Sequence, residues 1–287
     1  MTVPDFEATA DAFNRLSDPV RVELLRALWL EGRHDAVSYA ALKDAIGVRD
    51  SGRFNYHLQR LTDVFVEKTE DGYRLTPAGV AVVDAVQSET FAPSASVDPT
   101  PVDADCPTCG VAFEATYDDG MFAVECPDCD RVGSRFVFPP RGVRVRDPAD
   151  AARAHAIDAN SRSRRAALGL CPYCGGRTES RLPTVDGLDG HDVVVRHKCR
   201  DCDGTVRSTV GSYAHDHPAT KAFCHDHGVD PRGPAWQFEW CVDPSATTVE
   251  QSDPLRATAT IALDGDELRL TFDETGAVVR EERVERA

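Results

Sequence analysis

CPTCGVAFEATYDDGMFAVECPDC, residues 106–129, decides how the second half of this chain is built. Cys106 and Cys109 bracket two residues, Cys126 and Cys129 do the same, and 16 residues separate the pairs. Two residues between cysteines let both thiolates of a pair reach one ion. Two pairs supply four thiolates, a set that suits tetrahedral Zn2+ at about 2.3 Å. Between the pairs, residues 111–117 and 121–125 flank Asp118-Asp119-Gly120, a hairpin pattern. The arrangement recurs: Cys171-Pro-Tyr-Cys174 is followed after 24 residues by Cys199-Arg-Asp-Cys202. The added length is a Gly/Asp-rich loop, 183–190, extending a hairpin of residues 177–182 and 192–198. Gly110, Gly175 and Gly204 fit turns that aim backbone amides at sulfur. The spacing predicts two structural Zn2+ sites, one on Cys106, Cys109, Cys126 and Cys129, the other on Cys171, Cys174, Cys199 and Cys202. Disulfides compete with this reading but are disfavoured in the cytoplasm; an iron–sulfur cluster is the other competitor. Four thiolates close the shell and leave no open catalytic position. A deaminase places Pro before its first Cys of the pair, and here the order is Cys-Pro.

Working outward, residues 92–104 combine Pro, Ser and Asp without periodicity, a linker composition. All ten cysteines lie beyond it. The expected division is therefore a domain over 1–91, a linker over 92–104 and a domain over 105–287. The chain carries 48 acidic against 32 basic residues, a net charge of −16, and lysine occurs only at positions 43, 68, 198 and 221. This acidic, arginine-over-lysine composition resembles that of proteins from salt-loving archaea, where molar salt cuts the Debye length to about 3 Å. There is no apolar run of membrane-spanning length, and residues 1–15 lack the order of a signal peptide. A cytoplasmic protein with no membrane contact is expected.

The N-terminal domain reads as helical. Residues 6–16 form a first helix, and Ser17-Asp18-Pro19 caps a second over 20–30. Ser38 caps a third through Ile46, with Gly47 at its end. Asp50 or Ser51 caps a fourth. There Phe54, Leu58, Leu61 and Phe65 fall at steps of four, three and four and share a face. The opposite face carries Arg49, Arg53, Tyr56, Gln59, Arg60 and Asp63, with Asn55 and His57 at its flanks. Three arginines, a tyrosine and a glutamine suit phosphates and base edges. His57 reads as a structural histidine at the helix interface. Residues 64–75 form a hairpin with an Asp-Gly turn, and Thr76-Pro77 opens a last helix to about Gln87. With His34 and His57 as its only histidines and no cysteine, this domain has too few ligands to sense a metal.

Three segments resemble the ArsR-like winged-helix regulators, in their haloarchaeal branch: Asp18-Pro19-Val20-Arg21 with Leu24-Leu25, Asn55-Tyr56-His57-Leu58 with Leu61, and Leu75-Thr76-Pro77 with Gly79. They span roughly residues 5–90. The resemblance implies a winged helix-turn-helix that binds double-stranded DNA as a homodimer through its outer helices. The recognition helix would run over about 51–63 and the wing over 65–75. Arg49, Ser51, Arg53, Asn55, Tyr56, Gln59, Arg60 and Arg74 are the candidate DNA contacts, Arg74 reaching a phosphate from the wing. From about residue 104 the chain resembles an uncharacterised zinc-ribbon domain found behind winged helices in haloarchaea.

The expected fold is α+β: the winged helix-turn-helix, two zinc ribbons near 105–135 and 170–205 with a helix over 148–168 between them, then a helix and an antiparallel β-meander over 217–285. Arg162, Arg164 and Arg165 form a basic cluster that either touches DNA or pairs with the acidic surface, the latter being the plainer reading. Trp236, Phe238 and Trp240 alternate as in a strand and read as core. Cys224 and Cys241 with the His-Asp-His segments at 215–217 and 225–227 could bind a further metal or sense oxidation, but i,i+2 side chains on a helix diverge, and the plainer reading of the two cysteines is small buried hydrophobes. No nucleophile–base arrangement or phosphate loop points to an enzyme. Two readings stay open. One is a sequence-specific transcriptional regulator whose zinc domain dimerises or binds an effector or partner. The other is an adaptor that docks its winged helix on the transcription machinery.

Overall fold

The computed structural model describes residues 5–285 apart from positions 34, 93, 94, 130 and 189. Residues 1–4 and His34, included in the expectations above, lie outside them. The chain divides into two compact units, Thr2–Pro93 and Ser94–Ala287. The fold is α+β, with helices and several antiparallel sheets. No helix among the described residues is long and apolar enough to cross a membrane.

In the first unit each helix start has a local cause. Asp5 caps α1 (Phe6–Asn14) by accepting the Ala8 amide. Asp18 accepts the Val20 amide at the start of α2 (Pro19–Gly32), where the missing N–H of Pro19 costs nothing. Ser38 caps α3 (Tyr39–Ala45). Gly47, at φ +66°, turns the chain toward α4 (Ser51–Leu61), whose cap Asp50 accepts from both Gly52 and Arg53. Strands β1 (Val66–Lys68) and β2 (Tyr73–Leu75) pair as a hairpin, and Thr76 caps α5 (Pro77–Gln87). Phe54, Leu58, Leu61 and Phe65 are buried in one core with Leu24, Leu25, Leu28 and Leu42. His57 is buried too, with Nδ1 4.0 Å from the Asp18 carboxylate at the start of α2.

The second unit opens with β3 (Val97–Asp105), β4 (Ala112–Asp118), β5 (Met121–Glu125) and β6 (Val132–Val137), an antiparallel sheet in chain order. Strand β3 corrects the linker expected over 92–104. Thr100, Val102 and Ala104 turn inward in alternation, and the exposed Pro99 and Pro101 are tolerated because β3 is an edge strand, where a missing N–H need not break a ladder. Then come α6 (Pro140–Arg144) and α7 (Pro148–Ala167), followed by β7 (Thr178–Arg181), β8 (Thr184–Leu188), β9 (His191–Cys199) and β10 (Thr205–Thr209). Strand β9 pairs with β10, with β7 over its C-terminal part and with β8 over its N-terminal part. The stretch expected as a loop over 183–190 is thus largely strand, its position 189 lying outside the described residues.

Three short helices follow, α8 (Val210–His215), α9 (Pro218–Asp226) and α10 (Glu239–Val242). A four-stranded meander closes the chain: β11 (Thr247–Ser252), β12 (Leu255–Leu263), β13 (Asp266–Asp273) and β14 (Val278–Val284). Strand β11 carries little apolar pattern because it is an exposed edge. The aromatic alternation at 236–240 does not mark a strand. Trp236 lies in a 3-10 turn, Trp240 in α10, and Phe238 between them is extended, which resets the face so that all three are buried. The helix packed on the meander also differs from expectation: α8 lies on β12, while α9 reaches the sheet through His227–Asp266 at 3.3 Å and Arg283–Asp226 at 2.8 Å.

The two cysteine-bearing sheets and the meander share one core. Phe113 and Phe122, Val193 and Val195, Trp240, Ile261 and Leu270 belong to it, with Ala151, Ala152 and Ala156 of α7 wedged in. His155 of α7 is fully buried there, stacked on Phe122 with ring centroids 4.7 Å apart and Nε2 2.9 Å from Ser134 Oγ. Burial lowers its pKa from 6.5 to about 4, with Asp158 pulling the other way and Arg162 reinforcing the drop. The folded value lies below the unfolded one, so the stability contributed by the neutral ring is full above pH 6.5 and is lost as the pH falls toward about 4. An NMR titration of the His155 ring should therefore give a midpoint near 4. A midpoint near 6.5 would contradict a buried neutral imidazole.

Candidate metal centres and a basic helix face

All four cysteine pairs are built by the same backbone bond. The amide of the first cysteine donates to the carbonyl five residues on: Cys106 to Val111, Cys126 to Arg131, Cys171 to Gly176 and Cys199 to Gly204, each at 2.8 Å. In the pairs that open each quartet, Gly110 and Gly175 take φ +75° and +74°, and their own amides return to the carbonyls of Cys106 and Cys171. That leaves the next amides, of Val111 and Gly176, to point at Cys109 and Cys174 sulfur. Gly204 aims its own amide at Cys202.

The sulfurs converge in two groups. In the first, Cys106–Cys129, Cys109–Cys126 and Cys109–Cys129 stand at 3.5, 3.4 and 3.7 Å. In the second, Cys171–Cys202 and Cys174–Cys199 stand at 3.7 and 3.6 Å. A disulfide needs about 2.05 Å, and all ten cysteines are free. A tetrahedron of sulfurs at about 2.3 Å from a central ion has edges of about 3.8 Å, close to the spacings found. Each quartet therefore fits one tetrahedral metal ion. Cys106, Cys126, Cys171 and Cys199 are buried, the first two within the shared core, while Cys109, Cys174 and Cys202 are exposed. Burial works against a thiolate on Cys106, but the amides of Cys109 and Thr108 and the neighbouring sulfurs outweigh it and bring its pKa down to about 7. Cys171 is likewise opposed by burial and brought to about 7 by the amides of Cys174 and Tyr173 with Cys202 and Cys174 sulfur. In each quartet one thiol is thus the readiest to ionise, and metal capture must also displace the protons of the others.

On α4 the face away from the core exposes Arg53, Asn55, Tyr56, Gln59 and Arg60 together, with Arg49 and Ser51 exposed at its N-terminal end. Ser51 Oγ accepts from Lys43 Nζ at 2.6 Å, which adds a lysine that no helical pattern on α4 could have signalled. Arg15 donates to the carbonyls of Arg60 and Thr62, both at 3.4 Å, and so closes the C-terminal end of α4. Arg74 stands on the hairpin but is paired with Glu67, its cross-strand neighbour, at 2.8 Å. That pairing lowers the Glu67 pKa. The cluster on α7 is partly neutralised: Arg162 pairs with Asp158 at 2.7 Å and Arg164 lies 3.5 Å from Asp216. Cys224 and Cys241 are buried, and burial raises both thiols.

Residues 103–278, more than half of the chain, match a family model described as a domain of unknown function (DUF7351), and the chain belongs to that family. A second model, also described as a domain of unknown function (DUF7347), matches residues 9–86. The two matches fall on opposite sides of the division between the units. No curated protein matches the chain.

Proposed function

We propose that the chain is a DNA-binding transcriptional regulator: a winged helix-turn-helix over the first unit, with two zinc ribbons inside the second. The observation that carries this reading is the exposed set Arg53, Tyr56, Gln59 and Arg60 on α4, which follows α3 after a short turn and precedes a hairpin. A helix so placed enters the major groove, its arginines reaching phosphates or guanine edges and its glutamine adenine. The hairpin is the wing. Zinc is the ion favoured by four thiolates at tetrahedral spacing, and a closed shell makes both sites structural. Dimer formation is supported by α1, which has no buried residue and leaves Phe6 68% and Phe13 66% exposed.

The adaptor reading draws on Asp50 and Asp63, exposed at either end of α4, and on Glu67, which occupies Arg74. The double substitution Arg53→Ala plus Arg60→Ala separates the two. With duplexes recovered from genomic binding sites, at one stated salt concentration, we expect affinity to fall roughly 10- to 100-fold for each arginine removed. Unchanged binding, or no binding by the unsubstituted chain, favours the adaptor.

A further inference from the structure

Three arginines stand in one line across the sheet of the second quartet. Arg196 of β9 is the register partner of Arg207 on β10 and of Arg181 on β7. Directly opposed residues of an antiparallel pair share a face, and all three side chains are exposed. Like charges so placed destabilise a sheet, and acidic residues outnumber basic ones 48 to 32 in this chain. Yet none of the three side chains has an ion pair or hydrogen bond among the described residues. The neighbouring carboxylates are engaged elsewhere: Glu179 by Arg200, with Arg181 only a more distant charge, and Asp203 by Lys198 at 3.1 Å.

We infer that this line is a contact for the phosphodiester backbone of duplex DNA. Adjacent strands lie about 4.8 Å apart, so the three guanidiniums spring from a line about 10 Å long. A duplex carries one phosphate charge per about 1.7 Å of its axis, so that line meets several phosphates. Each guanidinium fork matches two phosphate oxygens. The platform is rigid: the opposite face of β9 sends Val193 and Val195 into the core, and β9 ends at Cys199 of the quartet. Such a line holds DNA without reading its sequence. The inference rests on the reading that this chain engages DNA, but it assigns residues that reading does not use.

The test uses the full-length, metal-loaded chain and a random-sequence duplex, with affinity followed against KCl concentration. Replacing the line by Arg181→Gln, Arg196→Gln and Arg207→Gln should make the log–log salt slope shallower by about 2–3, at about 0.9 for each phosphate no longer neutralised. Affinity at low salt should fall at least about tenfold. The melting temperature should not fall, because in-register repulsion is removed. The Lys triple variant at the same positions should keep the slope. An unchanged slope in the folded Gln variant overturns the inference, as does an unsubstituted chain that does not bind duplex. If the Gln variant keeps its slope while Arg53→Ala plus Arg60→Ala abolishes sequence-specific binding, the line fails and the N-terminal reading stands. The opposite pattern keeps the line and removes that reading.

Discussion

Chelation of the ions held by the two quartets should unfold the Ser94–Ala287 unit and leave the helical unit folded. Structural zinc sites of this type supply on the order of 10 kcal/mol of folding free energy, comparable with the whole stability of a domain. The effect should be global within the unit, because Cys106 and Cys126 belong to the shared core and Cys171 and Cys199 are buried beneath their own quartet. Trp236 and Trp240 are buried in that core, so a red shift of their fluorescence reports its opening. Cys171→Ser should reproduce the shift without chelator. Elemental analysis of the native protein should give two zinc ions per chain. A metal-free chain that keeps its thermal transition would sink the structural role, and another thiophilic ion in the same amount would replace only the choice of zinc.

The second large effect comes from a single methyl group. Gly211→Ala places a Cβ 1.5 Å from the Trp240 carbonyl oxygen and 2.6 Å from its carbon. Alanine is otherwise the better helix residue by up to about 1 kcal/mol, so the clash alone decides the sign. The obstacle is backbone, which cannot swing aside like a side chain. The crossing of α8 and α10 is also pinned: Thr209 Oγ1 and Ser212 Oγ both donate to the Cys241 carbonyl, at 2.7 and 3.3 Å. We expect a destabilisation of about 3 kcal/mol or more, a drop of roughly 10 °C in the melting temperature of a unit this size. A thermal scan showing equal or higher stability would mean that α8 and α10 do not cross this closely.

The readable parts of this protein are those whose cause is local. A cysteine pair closes its own turn through one amide-to-carbonyl bond five residues away, so its geometry is set within a hexapeptide. The core stripe of α4 repeats at helical steps, and Asp18, Ser38 and Thr76 cap helices through amides two or three residues ahead of them. By contrast, β3 has the composition of a linker because its prolines and aspartates are tolerated only where no strand follows on that side. Trp236, Phe238 and Trp240 alternate for a reason that is not a strand.

The amino-acid sequence by itself determined the two thiolate sets, the helix order of the first unit and which face of α4 carries its arginines, because each depends on spacing along a few turns of chain. Only the tertiary structure decided that the two cysteine-bearing sheets and the meander share one core, that position 211 must be glycine, and that Arg181, Arg196 and Arg207 fall on one line. Those depend on strand register and on the approach of segments far apart in the chain. A shift of one residue in the pairing of β7 or β10 with β9 would send the same arginines to opposite faces.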